Sequence, residues 1–547
     1  MARLHSTVLL LSLAAPLPLA GQLASDRIDS VFSAQRGTDR PGCAVGVVQR
    51  GRLIFSKGYG MADLAQGLAI TPQSVFHVAS VSKQFTAMSL VLLAQAGKLS
   101  LDDEVRKYLP DFPAYGTPVT IRQFLAHTSG VRDQWNLLMT AGWRLGDDVI
   151  TEQDVIDIVN RQKVLNFTPG SFWNYSNTGF TLAGTIVKKV TGQTLRQFAD
   201  SALFKPLGMA RTHFHDDNLM IVPGRTRGHT FRSGEWKETV PNYSNAGATS
   251  LFTTVVDLAR WHHQLDSGIV GGRSAIATLT APAVLTNGDT LSYALGIIRG
   301  NYRGVPTVSH SGGDPGYSSH LLHFPNTHSG VSVLCNTSGV ANPSRLAELT
   351  ADVLLADELG PVPTPPAMVL GSAVTGDVGL YWSEGPEAVA RIVVETDGAG
   401  WRVGNTTIRL RVSGTDRKYL LGNGPASVTL RSDGTVLFRS GNGESSVYTK
   451  VAEWTPTAAD RAALVGRYFS PEVDVTWEIK AVGDSLMLER RKFPAGRLTP
   501  VFRDTYTAPS ALTFTIRAVR GKDGKVTGIT AGSGRVVRVE FARVPSK

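Results

Sequence analysis

Apolar positions along the chain follow two regimes. Up to about residue 360, short alternating runs trade places with longer stretches of helical period; beyond it only short alternating runs remain, separated by Gly-rich turns. Residues 44–59 predict a hairpin with Gln49-Arg50-Gly51-Arg52 at its turn. Residues 80–96 are apolar on most faces, which predicts a buried helix, with Gly97 suited to a left-handed C-terminal cap. Thr120 is placed to cap a short helix over 121–126, and further helices are predicted over 152–161, 178–190 and 254–265. Strands are predicted over 293–298, 305–309, 319–324 and 330–335. With strands at both ends of a helical middle, the expectation is one mixed sheet assembled from distant segments.

Residues 359–366 are rich in proline and predict a stiff linker. The chain beyond this linker carries a repeat: Gly379-Leu380-Tyr381-Trp382-Ser383 matches Gly466-Arg467-Tyr468-Phe469-Ser470, and Asp433-Gly434-Thr435-Val436 matches Asp523-Gly524-Lys525-Val526. Two tandem β units joined near residues 454–460 are expected, small sandwiches or barrels by their many short strands. The chain then divides into 1–21, 22–360, 361–455 and 456–547.

Length adds that several cores can be buried: 547 residues correspond to about three to five units at ~100–200 residues each. Two cysteines build neither a disulfide scaffold nor a four-thiolate zinc site, and no His-Glu-x-x-His or Cys-x-x-Cys occurs, so neither a metal nor a cofactor is expected. Cys43 and Cys335 lie in apolar β runs and read as two buried free thiols, although an oxidising compartment would allow them to pair. The net charge is +10, and the stretch from Ala367 to Lys547 holds 25 Lys and Arg against 18 Asp and Glu, so most of the excess lies beyond the linker. No dense basic run accompanies it, which argues against nucleic acid as a partner and fits a protein facing anionic envelope polymers. Arg3 and His5, the apolar run from Val8 to Leu13 and the small residues around Ala20 read as a cleavable leader, residues 1–21. Gln22 stands where a lipidated cysteine would come after Leu19-Ala20-Gly21. A secreted or periplasmic protein without a membrane span is expected.

Ser80-Val81-Ser82-Lys83 opens the predicted buried helix. One helical turn sets Lys83 beside Ser80, where a desolvated amine loses basicity and can take the hydroxyl proton. The N-terminus of the helix turns its N–H groups toward a developing oxyanion. Tyr175-Ser176-Asn177 lies about 95 residues on, ahead of a helix, and His310-Ser311-Gly312-Gly313 closes a predicted strand. In this order the three motifs resemble those of the serine β-lactamase and penicillin-binding protein superfamily. The segments Leu125-Ala126-His127-Thr128-Ser129-Gly130-Val131, Pro206-Leu207-Gly208-Met209 and Leu258-Ala259-Arg260-Trp261 are similar to that superfamily as well, and the likeness spans about residues 30–350.

The resemblance implies an α+β chain: a β-lactamase-like catalytic domain, an antiparallel sheet flanked by helices plus a helical subdomain, and after it two small antiparallel lipocalin-like barrels. It implies that Ser80 is the nucleophile, that Lys83 with Tyr175 moves the proton, and that Asn177 holds Lys83 and the substrate amide. Ser311, Gly312 and Gly313 then border the substrate, with the N–H groups of Ser80 and Gly313 as the oxyanion hole. Two further copies are decoys: Tyr243-Ser244-Asn245, assigned to a substrate-side loop, and His328-Ser329-Gly330, assigned to a hairpin turn. Pro306 suits an edge strand, which is where the superfamily places its third motif.

His310 replaces the lysine of many β-lactamases and, neutral at pH 7, holds a carboxylate less firmly or supports proton transfer instead. That departure resembles the class C-like branch of D-aminopeptidases and D-alanyl-D-alanine carboxypeptidases, some of which carry two barrels after the catalytic domain. The expected function is an exported D-stereospecific peptidase acting on a small peptide, amide or ester, peptidoglycan fragments included. A carboxylesterase, a β-lactamase and a non-catalytic peptidoglycan-binding sensor are the alternatives.

Overall fold

The computed structural model describes residues 17–414, 416–508 and 513–545. The expected leader therefore lies outside the described residues except for its last five, which open helix α1 (Leu17–Val31). The first regime of the sequence builds an α+β domain on six strands: β1 (Cys43–Gln49), β2 (Arg52–Tyr59), β3 (Ile298–Tyr302), β4 (Val305–Asp314), β5 (Tyr317–Phe324) and β6 (Ser329–Cys335). Their order is β3-β4-β5-β6-β1-β2. Every pair is antiparallel, so the mixed sheet expected from the pattern is corrected: β1 returns beside β6 with Cys43 opposite Cys335.

β1 is apolar on consecutive residues because both of its faces are covered. Cys43, Val45 and Val47 pack with Ile28 and Phe32 at the end of α1 and with Leu346, Ala347 and Ala351 of α8 (Pro343–Leu354). On the other face Gly46 lies so close to α7 (Val255–Ser267) that a Cβ would sit 3.0 Å from that of Val255. The register also corrects the reading of the thiols: Cys43 and Cys335 form a disulfide across the β1–β6 pair. Directly opposed positions bring two small side chains within bonding reach, and spacing along a sequence cannot reveal that opposition.

The helices fall where their caps place them. α2 (Lys83–Gln95) ends before Gly97, whose φ is +66°. Thr120 caps α3 (Ile121–Leu125) in a box with Gln123, and Thr151 does the same for α5 (Glu152–Asn160) with Asp154. Helix α4 (Gln134–Thr140), capped by Asp133, is additional to the helices expected from the pattern, and α6 (Thr178–Thr191) begins after Asn177. The strand expected over 293–298 is absent. There the chain reverses at Gly296, φ +72°, with Tyr293 bridged to Ile298, and Gly296 packs so tightly on α2 that a Cβ would lie 2.8 Å from the Lys83 carbonyl carbon. Pro306 is not on the sheet edge either, since β3 pairs with residues 305–309 of β4. Beyond Ser309 that pairing stops, and residues 310–314 keep only β5 as a strand neighbour.

The second regime folds as two closed eight-stranded antiparallel barrels, from Gly379–Ser383 to Ser445–Val451 and from Gly466–Ser470 to Val539–Val544. The first keeps a core of its own around Trp401. The core of the second, around Trp477, is continuous with that of the catalytic domain, and the Trp477 indole donates to the Thr140 carbonyl at the end of α4.

Candidate active site

Ser80 stands in a tight 3-10 turn, Ala79–Ser82, that leads into α2. Ala79 is held at φ +47°, a left-handed conformation unfavourable for alanine, and the neighbouring Ser82 hydroxyl pins the turn by donating to Ala79 O (2.5 Å) and accepting from Leu251 N (3.0 Å). Lys83 is wholly buried. Its Nζ has three neighbours: Ala248 O at 2.6 Å, Asn177 Oδ1 at 2.8 Å and Ser80 Oγ at 2.9 Å. The first two only accept, so they take two hydrogens in either ionisation state. The third direction, toward Ser80, is an N–H in the ammonium and a lone pair in the neutral amine. Burial, opposed by the Asp314 and Asp133 carboxylates, lowers Lys83 to about 7, so both states are populated near neutrality.

Tyr175 lies beside this pair, its ring centroid 4.9 Å from Lys83 Nζ. Burial holds its phenol above the ordinary value, offset in part by the nearby Ser80 hydroxyl and by the Arg535 cation. Asn177 is fixed by Asp133, whose Oδ2 accepts from the Asn177 backbone N and from Nδ2, each at 2.7 Å. The same carboxylate caps α4 through Oδ1, so one side chain ties a helix start to the amide that holds Lys83.

On β4, His310 is buried with both nitrogens engaged. Nδ1 lies 2.6 Å from the Ser311 carbonyl, which can only accept, so Nδ1 carries the hydrogen and Nε2 accepts from the Tyr293 hydroxyl at 2.9 Å. Tyr293 in turn accepts from His127 Nε2 at 3.0 Å, and His127 Nδ1 accepts from Ser176 N at 3.2 Å. The chain of bonds is complete with both imidazoles neutral. Burial, with the charge of Lys83 second, pushes His310 down to about 3 and His127 well below its usual range. Ser311 Oγ bonds His320 and Ser344. Gly312 has to lack a side chain, because a Cβ there would meet Val78 O at 2.2 Å; the space beside Gly313 is open.

These residues border one cavity of about 870 Å³ that contains every site residue expected from the sequence except the wholly buried Lys83, which reaches it through Ser80. Asp314 shares it, with Oδ2 bonded to His77 Nε2 at 2.8 Å and to the Thr249 hydroxyl. Both barrels contribute to its wall: Phe438, Asn442, Glu444 and Tyr448 from the first, Arg535 from the second. The decoys lie elsewhere. His328 occupies the β5–β6 turn at φ +54° and pairs with Asp266. Tyr243 is corrected from a substrate-side loop to the core, where it stacks on Trp135. Sequence reasoning passes over Asp133, Tyr293, Thr249 and Arg535, and reaches His127 only as part of a family segment. The order of the motifs carries no signal for groups supplied by turns and by another domain.

A serine hydroxyl between a half-ionised lysine and a tyrosine, at a helix start facing an open strand end, defines an active-site serine hydrolase. The Beta-lactamase family model matches residues 28–355, and the chain belongs to that family. A D-aminopeptidase of Cereibacter sphaeroides (strain KD131) is 26% identical over 95% of this chain and 99% of its own. Penicillin-binding protein 4* of Bacillus subtilis (strain 168) is 28% identical over 60% of this chain and 75% of its own. The octameric penicillin-binding protein homologue from Pyrococcus abyssi shares the fold at a TM-score of 0.55 and 23% identity, over 78% of this chain and 100% of that one.

Proposed function

We propose that the protein is an exported D-stereospecific peptidase of the D-aminopeptidase type that works through an acyl-enzyme on Ser80. The observation that carries the mechanism is the orientation of Lys83: with two hydrogens committed to Ala248 and Asn177, its lone pair faces Ser80 Oγ whenever the amine is neutral. Ser80 attacks the carbonyl carbon and its proton passes to Lys83. The C–N bond then breaks, and the proton leaves through Tyr175 and Lys83 to the departing nitrogen. The N–H groups of Ser80 and Gly313 hold the oxyanion, each such donor being worth about 2.7–4 kcal/mol. Water then repeats the sequence on the ester.

The D-aminopeptidase type is supported by a relative similar over nearly the whole chain, both barrels included. A cleft walled by those barrels suits small peptides or amides, peptidoglycan fragments among them. Export is supported by the leader-like residues 1–21 and by the Cys43–Cys335 disulfide, which persists in oxidising compartments. A fluorophosphonate probe should label the protein, Ser80→Ala should lose the label, and D-alanyl amides and peptides should turn over with their L-counterparts inert. Turnover of p-nitrophenyl esters alone would refute the peptidase reading, and labelling of the variant would refute the nucleophile.

A further inference from the structure

We propose that Arg535, carried by the second barrel, binds a carboxylate on the leaving group, so that the enzyme prefers short peptides whose free C-terminal carboxylate lies one residue beyond the scissile bond. This rests on the peptidase reading above and adds which end of the peptide is recognised and by which residue.

Arg535 stands on the turn between the last two strands of the chain, and the catalytic domain clamps the backbone of that turn. Gly534 O accepts from Asn174 Nδ2 at 3.0 Å, Arg535 O from Asn166 Nδ2 at 2.8 Å, and Val537 N donates to Asn166 Oδ1 at 3.1 Å. The backbone position is therefore set independently of the side chain. The guanidinium lies over the Tyr175 ring, 4.6 Å from its centroid. Arg535 is the one arginine or lysine among the described residues lining the cavity, and its guanidinium makes no hydrogen bond or ion pair with another described residue. The other basic groups nearby are occupied: Lys83 has three bonded neighbours, and His310 has its hydrogen on Ser311 O and its lone pair on Tyr293.

The direction of the chemistry places the anion. When the Ser80 Oγ–carbon bond forms and the carbon–nitrogen bond breaks, the departing nitrogen takes its proton from the Tyr175–Lys83 pair, so that nitrogen has to come up to Tyr175. A cation stacked on the Tyr175 ring then lies beside the leaving group. A leaving amino acid carries its carboxylate two bonds from that nitrogen, and a guanidinium presents a planar fork suited to a carboxylate.

The test compares kcat/KM for D-alanyl-glycine and D-alanyl-glycine amide, which differ only in that carboxylate. The wild type should favour the free acid by about 10- to 100-fold, the range of one charge-assisted hydrogen bond. Arg535→Gln should bring the ratio near unity, and Arg535→Lys should leave it in between. No preference in the wild type, or a ratio that survives Arg535→Gln, overturns the proposal. If neither peptide is cleaved, the D-peptidase reading falls separately. The same ratio is then read on 3-carboxyphenyl butyrate and phenyl butyrate, where a collapse in Arg535→Gln supports the carboxylate site and an unchanged ratio overturns it.

Discussion

The Lys83 side chain is sealed from solvent among three polar neighbours, none of them a carboxylate, and its acidity is a consequence of that. With the folded value near 7 and the ordinary one at 10.5, kcat/KM for an uncharged amide should rise with pH through about 7 as the lone pair toward Ser80 appears. The same shift sets the sign of a stability effect. Between about 7 and 10.5 the unfolded chain binds the proton that the folded one has lost, so this group makes stability climb with pH in that window. Urea titrations of the wild type and Lys83→Met should show the wild type gaining on the variant from pH 7 to 10, with no change in their difference below pH 6. A flat difference across the window would mean that Lys83 keeps its charge. Ser80, Lys83, Tyr175 and His310 were legible in the sequence because short motifs carry them. Asp133 was not, because its function is to accept from an amide 44 residues away, and the lock on His310 depends on a tyrosine placed by a turn that reads as a strand.

Among the elements, β4 has the narrowest tolerance. Its second half can approach the nucleophile turn only because Gly312 leaves Val78 O and Ser319 Oγ, 2.2 and 2.4 Å from the place of a Cβ, unobstructed. Gly312→Ala should push the strand away from Ser80. The expected result is a loss of at least about 100-fold in kcat/KM, because a misplaced donor weakens the oxyanion hole, with a stability loss of only about 1–3 kcal/mol by calorimetry. Equal loss in Gly313→Ala, where the space is open, would show that close approach is not the cause. Helices were legible where a cap adjoined a clear apolar period, as Thr120 and Gly97 do, but α4 was not, although Asp133 caps it. Sheet order was not. The short apolar runs that mark β1 and β6 as strands say nothing of their pairing across almost 300 residues, nor that it would bring two thiols face to face.

At the scale of the molecule the two barrels differ in how they are attached. The second shares a continuous apolar core with the catalytic domain and adds a buried ion pair, Arg132 to Glu472 at 2.6 Å, while Arg132 also donates to Val537 O and Arg538 O. Glu472→Gln leaves a buried guanidinium without its counter-charge and should lower stability by about 3–5 kcal/mol in urea denaturation. The double variant Arg132→Met, Glu472→Leu should lose much less; an equal loss in both would mean that packing, not charge, governs the joint. The tandem repeat revealed that there were two such units. Their docking was invisible because it joins residues far apart in the chain, about 150 positions for Ser292 and Asn442 of the first barrel and more than 300 for the second.

The disulfide gives this arrangement a topology. Residues 43–335 form a covalently closed ring that holds Ser80, Lys83, Tyr175 and His310, and the barrels are a tail on that ring. A single cut within the ring, for instance where Leu219 and Ile221 are 82% and 88% exposed, opens the circle without parting the four residues from one another. A single cut in the linker after Gly360 leaves the ring whole and severs the covalent tie to both barrels, Arg535 with them. Under proteolysis, then, the nucleophile and its proton carriers are tethered twice, and the residue proposed to choose among substrates only once.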